Sequence, residues 1–160
     1  MVGKFIAAET LSLVLDVIPG AEFISDRSEL YITAENVLTA GQLVKTNSSL
    51  QFDHLSNLTA VDYPDYIEVV YHLYSHALKH KLVMKVKLAK QEEELPQTPS
   101  VVLLWPTAEF QEREVYDLFG VEFNGHPDLR RILLPDDFVG YPLRKDFQLP
   151  SQRERNVNQC

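Results

Sequence analysis

Two neighbouring segments of the chain alternate apolar and polar residues, and this alternation constrains the fold more than any other feature. Residues 67–74 and residues 81–90 each place an apolar side chain at every second position. These apolar positions are Ile67, Val69, Tyr71 and Leu73 in the first segment and Leu82, Met84, Val86 and Leu88 in the second. A period of two is typical of strands that bury one face. We therefore predict an antiparallel hairpin with one face on the core and one in water.

Patterns typical of helices and turns flank this hairpin. The N-terminal patterns first predict a helix that ends at Pro19-Gly20, with apolar positions Ala8, Leu11, Leu15 and Ile18. They then predict a hairpin of residues 21–25 and 29–33. A second helix is predicted over residues 35–45, with Val37, Leu38 and Val44 as its apolar side. Later patterns predict a strand over residues 54–62, a solvated loop over residues 91–100, and a helix capped by Thr107 that ends at Phe119 before Gly120. This order predicts an α+β fold, with helices on one side of a mostly antiparallel sheet.

The C-terminal part of the chain differs in character from the rest. From Val121 onward it is rich in Pro, Gly and Asp and loses regular periodicity, yet it keeps many large apolar side chains. They are Phe123, Leu129, Ile132, Leu133, Leu134, Phe138, Tyr141, Leu143 and Phe147. Such a content of large apolar residues is not typical of disordered segments. We therefore predict a globular α+β domain over residues 1–120 and an extended, partner-binding tail over residues 121–160.

The composition excludes several classes of function. A net charge of −8 disfavours general binding to nucleic acids or anionic lipids. The one cysteine, Cys160, cannot supply the several thiolates of an iron–sulfur cluster. No apolar run approaches the roughly 20 residues that span a bilayer, and the N-terminal segment lacks the features of a signal peptide. We expect a chain without a cofactor of its own that reaches a membrane only through partners.

The predicted helix after Trp105 carries charged residues in unusual positions. On a wheel of about 100° per residue, Glu112 and Glu114 fall within the arc of apolar side chains. A carboxylate removed from water requires a cationic or hydrogen-bonding partner. The candidates downstream are His126, Arg130, Arg131, Arg144 and Lys145. Arg113 and Asp117, on the remaining side, are expected to pair at i,i+4 spacing. The alternative is a solvated helix with ordinary surface ion pairs.

Three motifs of this region resemble a known family. They are EREVYDLFG at residues 112–120, GHPDLRRIL at residues 125–133 and GYPLRKD at residues 140–146. Together they resemble the signature of the C subunit (30 kDa type) of proton-pumping NADH:quinone oxidoreductase, respiratory complex I. Residues 58–63 and 68–73 are similar to the family as well. A departure is Glu109-Phe110, where the family often has an Asn-Trp pair.

The resemblance implies a non-redox subunit of the hydrophilic arm of that complex, on the cytoplasmic side of the cell inner membrane. Its implied partners are the quinone-site subunit and the subunit with the terminal iron–sulfur cluster. NADH, FMN, iron–sulfur clusters and quinone are implied for the complex and none for this chain. The motif positions are expected to join subunits or anchor the tail, with no catalytic role: Glu112, Arg113, Glu114, Asp117, His126, Arg130, Arg131, Arg144, Lys145 and Asp146. Membrane-bound hydrogenases and photosynthetic NDH-type complexes have equivalent subunits, and this alternative stays open.

Three histidines suggest a second hypothesis, in which the chain is a metal protein and not a subunit of a complex. His72, His76 and His80 recur at intervals of four, and on one face they would suggest a stand-alone metal protein. Because the predicted hairpin turn separates them, we expect no metal site there.

A general-base pair of His126 with Asp117 or Asp128 is a further alternative. No nucleophile or Gly-rich oxyanion loop accompanies it in the sequence. No Gly-rich phosphate motif occurs either, so we expect no NADH site on this chain.

Overall fold

A sheet is the main element of the computed structural model, which describes residues 4–148. Its strands are β1 (Lys4–Phe5), β2 (Glu22–Ile24), β3 (Glu29–Ile32), β4 (His54–Asp62), β5 (Tyr66–Tyr74) and β6 (His80–Ala89). The six-stranded sheet has the order β2-β3-β6-β5-β4, and β1 lies beside β6. Three of the pairings are antiparallel, whereas β1 and β3 run parallel to β6. The prediction of a mostly antiparallel sheet is confirmed.

Helices cover one face of this sheet. They are α1 (Ser12–Val17), α2 (Val37–Thr46) and α3 (Ala108–Phe119), and short 3-10 turns at Ala8–Leu11 and Ala34–Asn36 precede the first two. Their buried apolar side chains form one core with the inner face of the sheet. Among the largest fully buried side chains are Trp105, Tyr71 and Phe52. The predicted α+β class is confirmed.

The central hairpin has the predicted register of apolar residues. Ile67 lies opposite Leu88, and Tyr71 lies opposite Met84. All four of these side chains are buried. Because the side chains of a strand alternate between its faces, the same register places the lysines of β6 on the other face.

The outer face of the hairpin is only partly wet. Lys85 lies between two carboxylates, with its Nζ 3.0 Å from Glu29 and 3.3 Å from Glu68. Glu68 is only 4% exposed. The prediction of a simply solvated face is therefore wrong here, because Lys85 is shared by two carboxylates and all three side chains are largely removed from water.

Helix α3 protects the free edge of β4. The hydroxyl of Thr107 donates to the carbonyl of Leu55 at 3.1 Å, and the amide of Leu58 donates to the side-chain oxygen of Gln111. These bonds occupy edge groups that would otherwise be open to another strand. Thr107 occupies the N-cap position of α3 as predicted, but its side chain forms no capping hydrogen bond because its hydroxyl donates to the sheet. The predicted end of α3 at Phe119 is confirmed.

A second, two-stranded sheet lies where a loop is expected. Its strands, β7 (Gln97–Pro99) and β8 (Glu122–Asn124), pair parallel. The prediction of a wholly solvated loop over residues 91–100 is wrong, because Thr98 in β7 is buried. Phe123 in β8 is also buried in the core. The division of the chain at residue 120 stays a prediction, and residues 149–160, with Cys160, lie outside the described part.

One apolar position of α2 is misassigned by the sequence pattern. Val37, Ala40 and Val44 are buried, but Leu38 is exposed. Val37 and Val44 leave α2 in nearly the same direction on a wheel of about 100° per residue, whereas Leu38 leaves it about 100° away from Val37 and is exposed.

Candidate functional site

Helix α3 lies between two layers and buries side chains on both. Ala108, Val115 and Phe119 belong to the core shared with the sheet. Arg113 and Asp117 are also buried, but on the side of the helix where residues 130–134 pass. A helix that buries two faces has room for few solvated positions, so the charged motif residues on it must be matched within the fold.

The carboxylate of Asp117 is the centre of the contact between α3 and the C-terminal segment. Its side chain is 0% exposed, and its Oδ1 accepts a hydrogen bond from the guanidinium of Arg131 at 2.6 Å. Its Oδ2 accepts the backbone amides of Ile132, Leu133 and Leu134 at 3.0, 2.7 and 2.9 Å. Burial alone would raise the pKa of Asp117, but these amides and Arg131 outweigh it and lower the pKa.

Arg131 extends this contact to the next turn of the segment. Its guanidinium donates to the carbonyls of Asp117, Phe138 and Gly140 at 3.0, 3.0 and 3.1 Å. It also lies 5.4 Å from the ring centre of Tyr141. The planar fork of arginine carries five N–H donors, so one side chain can close a loop that has no regular hydrogen bonding.

Arg113 binds the segment and not Asp117. It donates to the carbonyls of Arg130 at 3.2 Å and Arg131 at 3.1 Å. The predicted i,i+4 pair of Arg113 with Asp117 is therefore wrong. The irregular segment brings backbone carbonyls and amides to α3, and these buried groups require hydrogen-bond partners. Arg113 and Asp117 therefore bond to the backbone of the segment and not to each other.

Glu112 faces the other layer, where no cation meets it. Its carboxylate, 0% exposed, accepts hydrogen bonds from the Ser100 hydroxyl at 2.6 Å and from the Val101 amide at 2.7 Å. Burial raises the pKa of Glu112 to about 7, although both hydrogen bonds act in the opposite direction. Of the two kinds of partner expected, Glu112 has hydrogen-bond donors and none of the candidate cations, and its expected place within the apolar arc is confirmed. Glu114, expected in the same arc, is exposed.

The third motif closes the C-terminal end of α3. Arg144 donates to the carbonyls of Phe119 at 2.5 Å and Gly120 at 3.0 Å. A cation at this end of a helix also complements its partial negative charge. Gly120 has a φ of +65°, and a Cβ built on it would lie 2.5 Å from the ring of Tyr141. The close approach of Tyr141 thus requires glycine for both conformation and space.

Asp62 is a site residue that the sequence motifs do not single out. It ends β4 on the buried side, forms an ion pair with Lys90 at 2.6 Å and accepts the backbone amide of Lys145 at 2.7 Å. The alternation of Leu58, Ala60 and Asp62 along β4 was the signal that could have found it, because it places a carboxylate in the apolar register.

His126 and Arg130 make local contacts at the start of the C-terminal segment. Nε2 of His126 lies 2.9 Å from the carbonyl of Glu109, and its Nδ1 lies 3.0 Å from the Asp128 amide, which donates to it. The ring is thus held by backbone groups, and no hydrogen bond joins its nitrogens to the carboxylate of Asp117 or Asp128 within the described residues. Arg130 pairs with Asp128 at 2.9 Å on the exposed surface.

Comparison with known proteins decides the family of the chain. Residues 30–153 match the family described as respiratory-chain NADH dehydrogenase, 30 Kd subunit. The chain belongs to this family. A Moorella thermoacetica protein, named as the C subunit of NADH-quinone oxidoreductase, is 51% identical over 122 residues, or 72% of this chain and 80% of that protein. A Roseiflexus sp. (strain RS-1) protein of the same name is 40% identical over 139 residues, 85% of this chain and 78% of that protein.

A solved structure of a differently named respiratory complex contains a similar chain. One chain of the membrane-bound sulfane sulfur reductase, an archaeal respiratory membrane complex, matches with a TM-score of 0.75 and 29% identity. The match covers 94% of this chain and 90% of that chain. The 30 Kd subunit fold is thus found in more than one kind of respiratory membrane complex.

The histidines of the central hairpin lie apart and have separate partners. His76 contacts Asp53 at 3.1 Å, and Nε2 of His80 lies 2.7 Å from the carbonyl of Leu50. His72 is on β5. Between residues 4 and 148, no group of three or more His, Cys, Asp or Glu residues could hold a metal ion. In the same range, no helix is long and apolar enough to cross a membrane.

Large apolar side chains remain exposed on α3 and on the C-terminal segment that Asp117 anchors. They belong to Phe110 on α3 and to Ile132, Leu133, Val139 and Leu143, of which Val139 is 76% exposed. The backbone next to these residues is held by Asp117, Arg131 and Arg144. The fold therefore presents apolar groups from a fixed surface and does not bury them.

Proposed function

We propose that this chain is a non-redox structural subunit of a proton-pumping NADH:quinone oxidoreductase. In this role it supports electron transfer from NADH through iron–sulfur clusters to quinone by holding neighbouring subunits in place. The chain itself supplies no catalytic residue. The observation that carries the proposal is the match to the 30 Kd subunit family over residues 30–153, together with a C-terminal segment anchored through Asp117.

The proposed surface for partners is the outer side of this segment. In permanent complexes the centre of an interface is typically apolar, so its residues are exposed when the subunit is alone. Leu133 and Val139 are such residues, and buried charge holds the backbone beside them. Preorganisation of this kind reduces the conformational entropy that binding would otherwise remove.

The charged motif residues divide into two proposed roles. An anchoring role fits Lys145, whose backbone amide bonds to Asp62 of β4, and the residues whose side chains bond to another element of this chain: Glu112, Arg113, Asp117, His126, Arg131 and Arg144. A role in contacts between subunits fits the remaining three, whose side chains are exposed: Glu114, Arg130 and Asp146.

The proposed partners are the quinone-site subunit and the subunit of the terminal iron–sulfur cluster, in the hydrophilic arm of the complex. NADH, FMN, iron–sulfur clusters and quinone would be bound by other subunits. The proposed location is the cytoplasmic side of the cell inner membrane, with attachment through partners. Two relatives named as subunits of NADH-quinone oxidoreductase support this assignment.

A second candidate is the equivalent subunit of a respiratory membrane complex that catalyses another redox reaction. The similar chain in the sulfane sulfur reductase complex favours it. Purification of the tagged chain from native membranes, followed by assays of the whole complex, separates the two. Quinone reduction by NADH is expected for the first candidate. A complex that contains this chain but catalyses another redox reaction supports the second. A free chain with stoichiometric, tightly bound zinc or iron contradicts both.

Charge reversal tests the proposed interface. Arg130→Glu and Glu114→Lys are expected to reduce recovery of the assembled complex while the isolated chain unfolds at nearly the wild-type denaturant concentration, because both side chains are exposed. Glu93→Lys, an exposed reversal in the loop before β7, is the matched control and is expected to assemble normally. Normal assembly and full quinone reductase activity in both interface variants contradict the assignment of these two residues.

A further inference from the structure

One buried carboxylate of α3 bonds to the connection between β7 and α3. Glu112 accepts the Ser100 hydroxyl at 2.6 Å and the Val101 amide at 2.7 Å. These two residues begin a turn over residues 100–105 whose tip, Leu103, is 92% exposed. Two further bonds hold the other end of the turn, from Trp105 Nε1 to the carbonyl of Phe52 at 3.0 Å and from Lys45 to the carbonyl of Leu104. At the start of the turn the Ser100 amide also donates to the carbonyl of Asn124 at 2.8 Å, so Glu112 supplies the contacts that join the first half of the turn to α3.

The surroundings of Glu112 contain no charge that could balance it. On its own helix, Arg113 is directed to the carbonyls of Arg130 and Arg131, on the other side of α3. From the sheet, the titratable group that faces it is the buried phenol of Tyr71. Burial raises the pKa of Tyr71, and the charge of Glu112 raises it further. From the turn, Ser100 presents a hydroxyl and Val101 a backbone amide, and neither group carries a charge.

The geometry fits both protonation states of Glu112. A hydroxyl donates one hydrogen bond and accepts others. The ionised carboxylate accepts from Ser100, and the protonated carboxyl can donate to the same oxygen across the same 2.6 Å. In either state the other oxygen accepts the Val101 amide. The bonds persist, but the ionised form leaves an unbalanced charge away from water.

We propose that Glu112 is a proton-controlled latch: the protonated side chain holds residues 100–102 on α3, and its ionisation favours a local opening that brings the carboxylate to water. The sign follows from linkage. In the closed turn, burial raises the pKa of Glu112 from 4.5 to about 7. In an opened turn the group regains its ordinary affinity for protons, so a rise in pH favours opening until both states are ionised.

Amide hydrogen exchange of the full chain tests the latch. In the wild type, we expect the protection of the Val101 and Val102 amides to fall by up to about tenfold per pH unit between pH 5 and pH 7. Protection should level off above pH 7, after correction for the intrinsic pH dependence of exchange. In Glu112→Gln the protection should not change with pH. Glu114→Gln, an exposed change on the same helix, should behave like the wild type.

A second measurement does not depend on the stability of the Gln variant. The side-chain carboxyl carbon of Glu112, followed by NMR in the wild type, should titrate near neutrality. In Ser100→Ala the titration should move to higher pH, because the hydrogen bond from Ser100 favours the ionised form. Titration near 4.5, protection that is equal at pH 5 and pH 7, or an equal fall in wild type and Glu112→Gln overturns the proposal. These results concern the isolated chain, so they are independent of the assembly tests above.

Discussion

The guanidinium of Arg131 lies 2.6 Å from the carboxylate of Asp117, and the Asp117 side chain is completely removed from solvent. The two residues come from different kinds of structure, a regular helix and an irregular segment. Three consecutive backbone amides complete the coordination of the carboxylate. Helix α3 thereby holds in place a segment that has no regular hydrogen-bond pattern of its own, which makes the segment suitable as a fixed surface for partners.

Asp117→Asn is expected to destabilise the chain by about 3 kcal/mol, because it leaves the guanidinium of Arg131 without its buried counter-charge. Urea unfolding followed by circular dichroism measures the change. Limited proteolysis should then cut within residues 130–147 before it cuts the sheet. The matched control is Asp128→Asn, which removes an exposed partner of Arg130 and should leave the stability nearly unchanged. Equal stability of the two variants would show that the Asp117 contact contributes no more than a surface pair.

The advantage of wild type over Asp117→Asn should depend on pH. The pKa of Asp117 is lowered in the fold, so its contribution is fully present above the unfolded value of about 4 and is lost as pH falls through the folded value. We expect a constant difference in unfolding free energy between pH 5 and pH 7 and a shrinking difference below about pH 4. A difference that grows on acidification would contradict the lowered pKa.

Gly120→Ala tests the close packing at the end of α3. The left-handed backbone at Gly120 alone costs alanine about 1–2 kcal/mol, and the contact with Tyr141 adds to this. Gly125→Ala provides the control, because Gly125 also has positive φ but no atom within 4 Å of the new Cβ. Thermal unfolding should therefore show a larger loss for the first variant. Similar losses would mean that Tyr141 moves away freely.

Lys85→Met tests the charge cluster on the outer face of the sheet. It leaves Glu29 and the buried Glu68 without their shared cation. We expect a loss of about 3 kcal/mol in chemical unfolding at pH 7, since removing one member of a buried ion pair leaves an uncompensated charge. Lys87→Met is the control, because Lys87 is exposed and contacts aromatic rings. A loss no larger than that of the control would show that the cluster is effectively solvated.

Much of the fold follows from periodicity. The alternation at residues 67–74 and 81–90 predicts β5, β6 and their inner face, because strand geometry depends on local spacing alone. The end of α3 follows from Gly120 for a similar reason. The parallel pairing of β3 with β6 was not predicted, because it joins segments that are distant in the chain. The short strands β7 and β8 were missed because Gln97–Pro99 has no pattern of its own.

The candidate site was found by sequence, but its contacts were not. The charged motifs identify the family and place the important residues within residues 112–146. They do not show that Glu112 meets hydroxyl and amide groups, or that Arg113 and Asp117 bind a passing backbone and not each other. A wheel describes only the directions in which side chains leave a helix, and it contains no information about what packs against each side.

The sequence by itself determined the family, the α+β class and the main strands and helices, since motifs and periodicity are properties of local spacing. Only the tertiary structure decided which partner each buried charge has. Those partners are mainly backbone groups of an aperiodic segment, and their positions depend on the path of that segment over α3. That path also decides that Asp117 anchors the segment internally, while Leu133 and Val139 remain exposed.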